Sequence, residues 1–282
     1  MARNNNLHEA KANARDCFYT QDVDVENELR HYKKHFKDKI IYCNADDVSS
    51  AFYRYFHLNF NELGLKKLIA THYDDQEPSY KLTYLGENDN DISVAVKALL
   101  KQNGDFRSEE SIELLKEADI LVTNPAFSLW RKQFAQVIEY KKDFILWANN
   151  NAITYKEVFP YIKNGVVKAG YMFNKACYFE IPEDYPRCDE KYTAKMSDGK
   201  RYAKVPAITV FTTLDIPKHH EELILWKKFN QEEFQMYDNY PAWNVDKVSE
   251  IPVDKEIKVT VNKEKCQLPV VKTTGLKKVL VD

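Results

Sequence analysis

The tetrapeptide Asn124-Pro125-Ala126-Phe127 directly follows the apolar run Ile120-Leu121-Val122-Thr123. It holds the residue types for one demanding reaction. Methylating an exocyclic amine on a nucleobase is difficult because the nitrogen lone pair is delocalised into the ring. A site that accepts hydrogen bonds from both N–H groups localises that lone pair and aims it at a methyl donor. The Asn124 side-chain oxygen and the Pro125 carbonyl can supply the two acceptors. Phe127 can stack on a base flipped out of its duplex. On these four residues alone, a strand-ending Asn-Pro turn packed by Phe127 is the simpler reading.

Such a loop works only if regular elements hold it. Val25, Leu29, Tyr32 and Phe36 recur at helical spacing, so the pattern predicts an amphipathic helix over 22–36. Short apolar runs predict buried strands at 39–43, 67–72, 119–123 and 143–148. Two alternating stretches, 80–85 and 92–96, predict further strands around a turn at 86–91. Helices are expected from Ser49 or Ser50 to about Leu63, over 108–118, over 128–140 with Ser128 as cap, and opening at Thr154. Beyond Gly170 the pattern loosens, with strand-like 205–211, helical 221–228 and strand-like 258–261. Strands alternating with helices predict an α/β protein with a mostly parallel sheet covered on both faces. Ligands of such sheets bind at the carboxyl ends of the strands, near the topological switch. That draws attention to the loops at 44–47, 73–74, 104–106 and 124–127.

Composition excludes several classes. The chain has 282 residues, 41 Lys+Arg against 43 Asp+Glu, a net charge of -2 and 44% hydrophobic residues, enough for a substantial core. Seven glycines form neither G-x-G-x-x-G nor G-x-x-x-x-G-K, which argues against glycine-rich phosphate loops. The five cysteines (17, 43, 177, 188 and 266) are widely spaced, so no disulfide framework or zinc knuckle is expected. No apolar run approaches bilayer length, and the first residues lack a signal-peptide core. A cytoplasmic protein without metal or membrane partner is expected. Charge is uneven: 12 acidic and 5 basic residues over 74–119, but 7 basic and 3 acidic over 127–170, and 9 basic and 6 acidic over 186–230. The basic stretches suit a polyanion, although solvated faces explain them as well.

Five segments then occur in order: Asp16-Cys17-Phe18-Tyr19-Thr20-Gln21, Ile41-Tyr42-Cys43-Asn44-Ala45-Asp46-Asp47, Asn103-Gly104-Asp105-Phe106-Arg107-Ser108, Thr123-Asn124-Pro125-Ala126-Phe127, and Asn151-Ala152-Ile153-Thr154-Tyr155-Lys156-Glu157. Together they resemble the EcoRI-type adenine-specific DNA methyltransferases, from about residue 5 to about residue 252. The resemblance implies a Rossmann-like class I methyltransferase fold. It implies S-adenosylmethionine as cofactor and double-stranded DNA as partner. Residues 1–172 would form the cofactor-binding catalytic domain, and 173–282 a smaller α+β portion for target recognition. By the same resemblance, Phe18, Tyr19 and Thr20 lie against the cofactor. Asn44, Asp46 and Asp47 meet its methionine part, Asp74 its ribose, and Asp105 and Phe106 its adenine. Asn124, Pro125 and Phe127 match the catalytic N-P-P-F.

The chain departs from that pattern at Cys17, Ala45, Ala126 and Ala148. Ala126 leaves both acceptors in place but removes the rigidity of a second proline. Asn149 and Asn151, after a strand, and the basic Arg131 and Lys156 are the candidates for contact with DNA. His31 and His35 have metal-compatible spacing, but with no third ligand nearby they read as a helix face. The leading expectation is methyl transfer to adenine N6 in duplex DNA by base flipping. A fold-alike that binds DNA or cofactor without turnover is the alternative, and an RNA or protein-glutamine acceptor is a third. Oligomeric state is open, with a monomer favoured.

Overall fold

The computed structural model describes residues 20–73, 78–181, 193–195, 199–221, 242–244 and 278–280. Helix α1 (Asp22–Leu29) continues through a 3-10 turn (Arg30–Tyr32) into α2 (Lys33–Phe36). The four residues whose spacing predicts the helix, Val25, Leu29, Tyr32 and Phe36, are all fully buried. Then come β1 (Ile40–Cys43), α3 (Ala51–Leu58), α4 (Phe60–Leu63), β2 (Lys67–His72), β3 (Tyr80–Tyr84) and β4 (Val96–Leu99). Next are α5 (Glu109–Glu117), β5 (Ile120–Thr123), α6 (Trp130–Glu139) and β6 (Asp143–Asn149). A 3-10 turn (Asn150–Thr154), α7 (Phe159–Lys163), β7 (Lys168–Ala169), β8 (Lys175–Glu180), β9 (Thr193–Lys195) and β10 (Arg201–Thr212) follow.

The main sheet has the order β4-β3-β2-β1-β5-β6-β10-β7, with β8 and β9 also paired to β10. The fold is Rossmann-like α/β. Strands β2, β1, β5 and β6 are mutually parallel. Both flanks are antiparallel: β3 and β4 on one side, β10 and its partners on the other. The mostly parallel sheet expected from sequence is thus parallel only at its centre. Chain length gives one reason. Residues 73–79 alone join β2 to β3, and a parallel crossover needs a dozen residues or more. Strands β2 to β4 are added on one side of β1, and β5 and β6 on the other, so the crevice of the switch opens at the carboxyl ends of the parallel neighbours β1 and β5.

Several elements differ from their predicted extents for local reasons. The strand expected at 92–96 forms instead at Val96–Leu99. The Asn- and Asp-rich segment before it bonds to itself and to its neighbours: Tyr84 Oη donates to Asp89 (2.9 Å), and the Asn61 N–H donates to the same carboxylate (2.8 Å). The helix expected to reach Leu63 breaks at Asn59, whose amide donates to the Tyr55 carbonyl. Ser50, not Ser49, caps α3, accepting from Phe52 N. Ser108 caps α5 as expected, whereas Ser128 does not cap α6. The segment 222–228, most of the expected helix at 221–228, and the strand expected at 258–261 lie outside the described residues.

The chain divides into two units, Met1–His220 and Glu221–Asp282. In the second, β11 (Ala242–Asn244) pairs antiparallel with β12 (Lys278–Leu280). Within the first, β8–β10 follow residue 172 and continue the sheet that β1–β7 begin. No described helix is long and apolar enough to cross a membrane.

Candidate active site

Strands β1 and β5 are neighbours, so their loops leave the same end of the sheet. Directly after β1, Ala45 turns the chain with φ 56°, a left-handed conformation uncommon outside glycine. Thr71 on β2 steadies that turn by accepting from the Ala45 N–H (3.2 Å). Asn44 is 4% exposed, and both arms of its amide are used within the protein. Its Oδ1 accepts from the Thr71 hydroxyl, and its Nδ2 donates to Gln133 Oε1, both at 3.4 Å. Gln133 passes the chain to Gln136 (3.1 Å), and Gln136 Nε2 ends it on the Phe106 carbonyl (2.8 Å). A buried amide relay on α6 therefore ties the loop after β1 to the loop at 103–108.

The two aspartates after Ala45 are held differently. Asp46 accepts from Ser50 Oγ (2.5 Å) and Thr123 Oγ1 (3.1 Å). Among the described residues no cationic side chain pairs with it. Burial pushes its carboxyl up to about 7, and Asp47 beside it adds to the rise. Burial would raise Asp47 too, but bonds from the Ser49 hydroxyl and N–H and from His72 outweigh it and hold that carboxyl below the usual range. His72 Nδ1 lies 3.0 Å from Asp47 Oδ2, and its ring stacks on Tyr80.

Thr123, the last residue of β5, joins this loop to the next one. Its hydroxyl is shared between the Asn44 carbonyl (2.9 Å) and Asp46 Oδ2 (3.1 Å). Asn124 follows immediately, and its Nδ2 donates to Thr20 Oγ1 at 3.1 Å. Asn124 Oδ1, the other arm, is shielded from water. The Leu129 N–H donates to the Ala126 carbonyl (2.8 Å), closing the turn that leads into α6. Phe127 is 8% exposed and belongs to the same buried core cluster as Trp147 and Ile145.

At 103–108 the backbone passes so close to β2 that a β-carbon on Gly104 would sit 2.5 Å from the His72 carbonyl oxygen. Gly104 also has φ 74°, so the position demands glycine. Asp105 pairs with Arg107, whose hydrogen bonds hold the carboxyl low against the effect of burial. Phe106 is buried. The rim after β6 is more open. Asn149 accepts from Asn151 N (3.0 Å) and reaches the Pro206 carbonyl (3.4 Å), while the Asn151 and Lys156 side chains are exposed. Arg131 pairs with both oxygens of Glu157 and lies over the Tyr155 ring. Phe18, Tyr19 and Asp74 lie outside the described residues. His31 stacks on Tyr171, and no described group of residues could hold a metal ion.

The family model described as adenine-specific methyltransferase EcoRI matches residues 6–263. The chain belongs to that family. Among its relatives, the type II methyltransferase M.EcoRI of Escherichia coli is 41% identical, over 90% of this chain and 82% of the relative. A type II methyltransferase of Mycoplasma genitalium is 36% identical (88% and 78% covered). M.MpnI of Mycoplasma pneumoniae, another type II methyltransferase, is 33% identical (88% and 77%).

A family methyl donor such as S-adenosylmethionine carries an α-ammonium and a sulfonium, and the donor set here fits those charges. Asp46 is a carboxylate with two hydroxyl donors, no described cation beside it, and a pKa that a cationic ligand would lower. Sequence reading overlooked the residues that build this arrangement: Thr71, Thr123, His72, Gln133 and Gln136. A signal was present for two of them. Gln133 and Gln136 lie three apart on a helix whose buried stripe is otherwise Trp130, Phe134 and Val137, and a polar residue on an apolar stripe needs a buried partner.

Proposed function

We propose that this protein transfers a methyl group from S-adenosylmethionine to the N6 amine of adenine in double-stranded DNA, as the modification partner of a restriction system. The observation that carries the reading is the Thr123 hydroxyl, which bonds at once to Asn44 and Asp46 of one loop while standing next to Asn124 of the other. Methyl transfer needs donor and acceptor in contact, and this residue fastens the two binding loops together.

When bound, the cofactor supplies an electrophilic methyl on a sulfonium sulfur. Asp46 would hold its α-ammonium. Asn44 shapes the loop through Thr71 and Gln133 rather than by contact. Asp47, held by His72 and Ser49, sets the far side of the same loop. By family resemblance, Phe18 and Tyr19 would contact the cofactor. By the same resemblance, Asp74 would accept hydrogen bonds from its ribose hydroxyls, and the loop bearing Asp105 and Phe106 would hold its adenine.

On the acceptor side, Asn124 Oδ1 and the Pro125 carbonyl accept the two hydrogens of the target amine. The nitrogen lone pair then leaves conjugation with the ring and becomes nucleophilic. Phe127 would stack on the flipped adenine. Asn149 and Asn151 line the rim where DNA arrives, Arg131 and Lys156 meet phosphate, and the portion after residue 172 reads the sequence. The chemistry takes place in the cytoplasm.

Tritiated methyl transfer to separate duplex DNA, RNA and protein fractions tests this. Label on duplex DNA is expected. Label confined to RNA or protein would overturn the choice of acceptor. Cofactor binding with label nowhere would establish the non-catalytic alternative.

A further inference from the structure

An asparagine amide has two unlike arms. Rotated by half a turn, the side chain of Asn124 would present N–H donors to an amine that is itself a donor. Two facing donors repel, and the lone pair of the target stays in the ring. The orientation of this amide therefore decides whether the loop can work at all, and something must hold it before substrate arrives.

The hydroxyl of Thr20 occupies that place. It accepts from Asn124 Nδ2 at 3.1 Å, which leaves Oδ1 as the arm turned away from Thr20. Thr20 is itself anchored. Two residues on, Asp22 opens α1 and accepts from Arg54 Nε (3.1 Å) and Nη2 (2.7 Å). Arg54 stands on α3, the helix whose cap Ser50 holds Asp46. At the other end of α1, the Glu28 carboxylate accepts from the Tyr171 and Met172 N–H groups and from Tyr32 Oη. Helix α1, which Thr20 and Gln21 lead into, is thus fixed to the frame that carries Asp46. Thr20 also lines a cleft of about 570 Å³ with Ser49, Arg54, Lys200 and Tyr202.

We propose that Thr20 is a positioning residue for methyl transfer, its hydroxyl holding the Asn124 amide so that Oδ1 is presented to the target amine. The proposal rests on the reading of Asn124 as acceptor of that amine. It departs from the role that family resemblance suggests for Thr20, contact with the cofactor. The two roles predict opposite kinetic signatures. A positioning hydroxyl acts on the rate of the bound complex, whereas a cofactor contact acts on affinity.

The test uses the full chain with Thr20→Val, Thr20→Ala and Thr20→Ser. Single-turnover methyl transfer is measured at saturating S-adenosylmethionine and duplex DNA, with cofactor affinity measured by calorimetry. Thr20→Val and Thr20→Ala are expected to slow transfer by about 10- to 100-fold, with cofactor affinity within about twofold of wild type. Thr20→Ser keeps the hydroxyl and is expected to restore the rate to within about threefold. In an Asn124→Ala background, Thr20→Val should change nothing further, since the amide it holds is gone. A tenfold loss of cofactor affinity with the saturated rate intact would assign Thr20 to the cofactor and overturn the proposal. Equal loss in all three variants would also overturn it, because the hydroxyl would not be the operative group. A wild-type protein that leaves duplex DNA unmethylated refutes the reading of Asn124 and the proposal together. Transfer undiminished in Thr20→Val refutes the proposal alone.

Discussion

The loops at the carboxyl ends of β1 and β5 and the rim after β6 are neighbouring parts of one sheet, built on opposite principles. In the first region nearly every polar side chain is bonded inside the protein: Asn44 to Thr71 and Gln133, Asp46 to Ser50 and Thr123, Asn124 to Thr20. In the second, the Lys156 and Asn151 side chains stand in solvent, and Arg131 is held by a single exposed carboxylate. The first is arranged before any ligand binds, which is what placing a methyl donor against a weak nucleophile requires. The second keeps its charges adjustable, which suits a backbone whose sequence varies. Substitutions should therefore act through rate and cofactor affinity in one region, and through salt-dependent DNA affinity in the other.

The largest separation is expected at Asn124. Asn124→Ala should lower single-turnover methyl transfer by about 100- to 1,000-fold and leave cofactor affinity unchanged, as calorimetry would report. Asp46 should give the cofactor site a pH dependence that the rim lacks. Its carboxyl is raised to about 7 without ligand, and a cation binds its ionised form. Affinity for S-adenosylmethionine should therefore rise about tenfold from pH 6 to pH 8 and then level off, with a proton released on binding below that range. Asp46→Asn should bind more weakly and flatten the profile; an unchanged slope would remove Asp46 from the account. Thr123→Val should cost up to about tenfold in both cofactor affinity and transfer rate, because it unfastens the two loops together. At the rim the effect is smallest and of opposite sign. Glu157→Gln releases Arg131 and should tighten DNA binding about threefold, steepening its salt dependence by about one counterion. An effect of Glu157→Gln on transfer rate at saturating DNA would break the division between the two regions.

Much of this was legible in the sequence where one physical signal dominated. Apolar runs flanked by polar residues marked β1, β2, β5 and β6 almost to the residue, because buried central strands must be continuously apolar. The loop proposed to bind the target amine was visible because Asn124 and Pro125 follow such a strand at once. Strand β3 was placed at 80–85, close to Tyr80–Tyr84, but its antiparallel direction was not, since a strand's direction depends on the length of the connection before it rather than on its own residues. The strand at Val96–Leu99 was set several residues early, where side chains of the 86–95 segment bond to backbone in preference to a ladder. The links among Thr20, Asn124, Thr123 and Asp46 join residues about 80 to 100 positions apart. Pattern along the chain carries no trace of them. Threonines in a strand or beside a helix look alike whether they bond to water or to the centre of a site.

The central claim is that the Asn124-Pro125 pair presents the N6 amine of adenine in duplex DNA to the methyl donor. It is tested most directly by digesting labelled duplex DNA to nucleosides and identifying the methylated one by mass spectrometry, with Asn124→Ala as control. The expected result is N6-methyladenine with the wild-type protein and none with the variant. Two acceptors of this kind would equally suit the exocyclic amine of cytosine, so methyl on cytosine N4, or N6-methyladenine persisting in Asn124→Ala, would contradict the account.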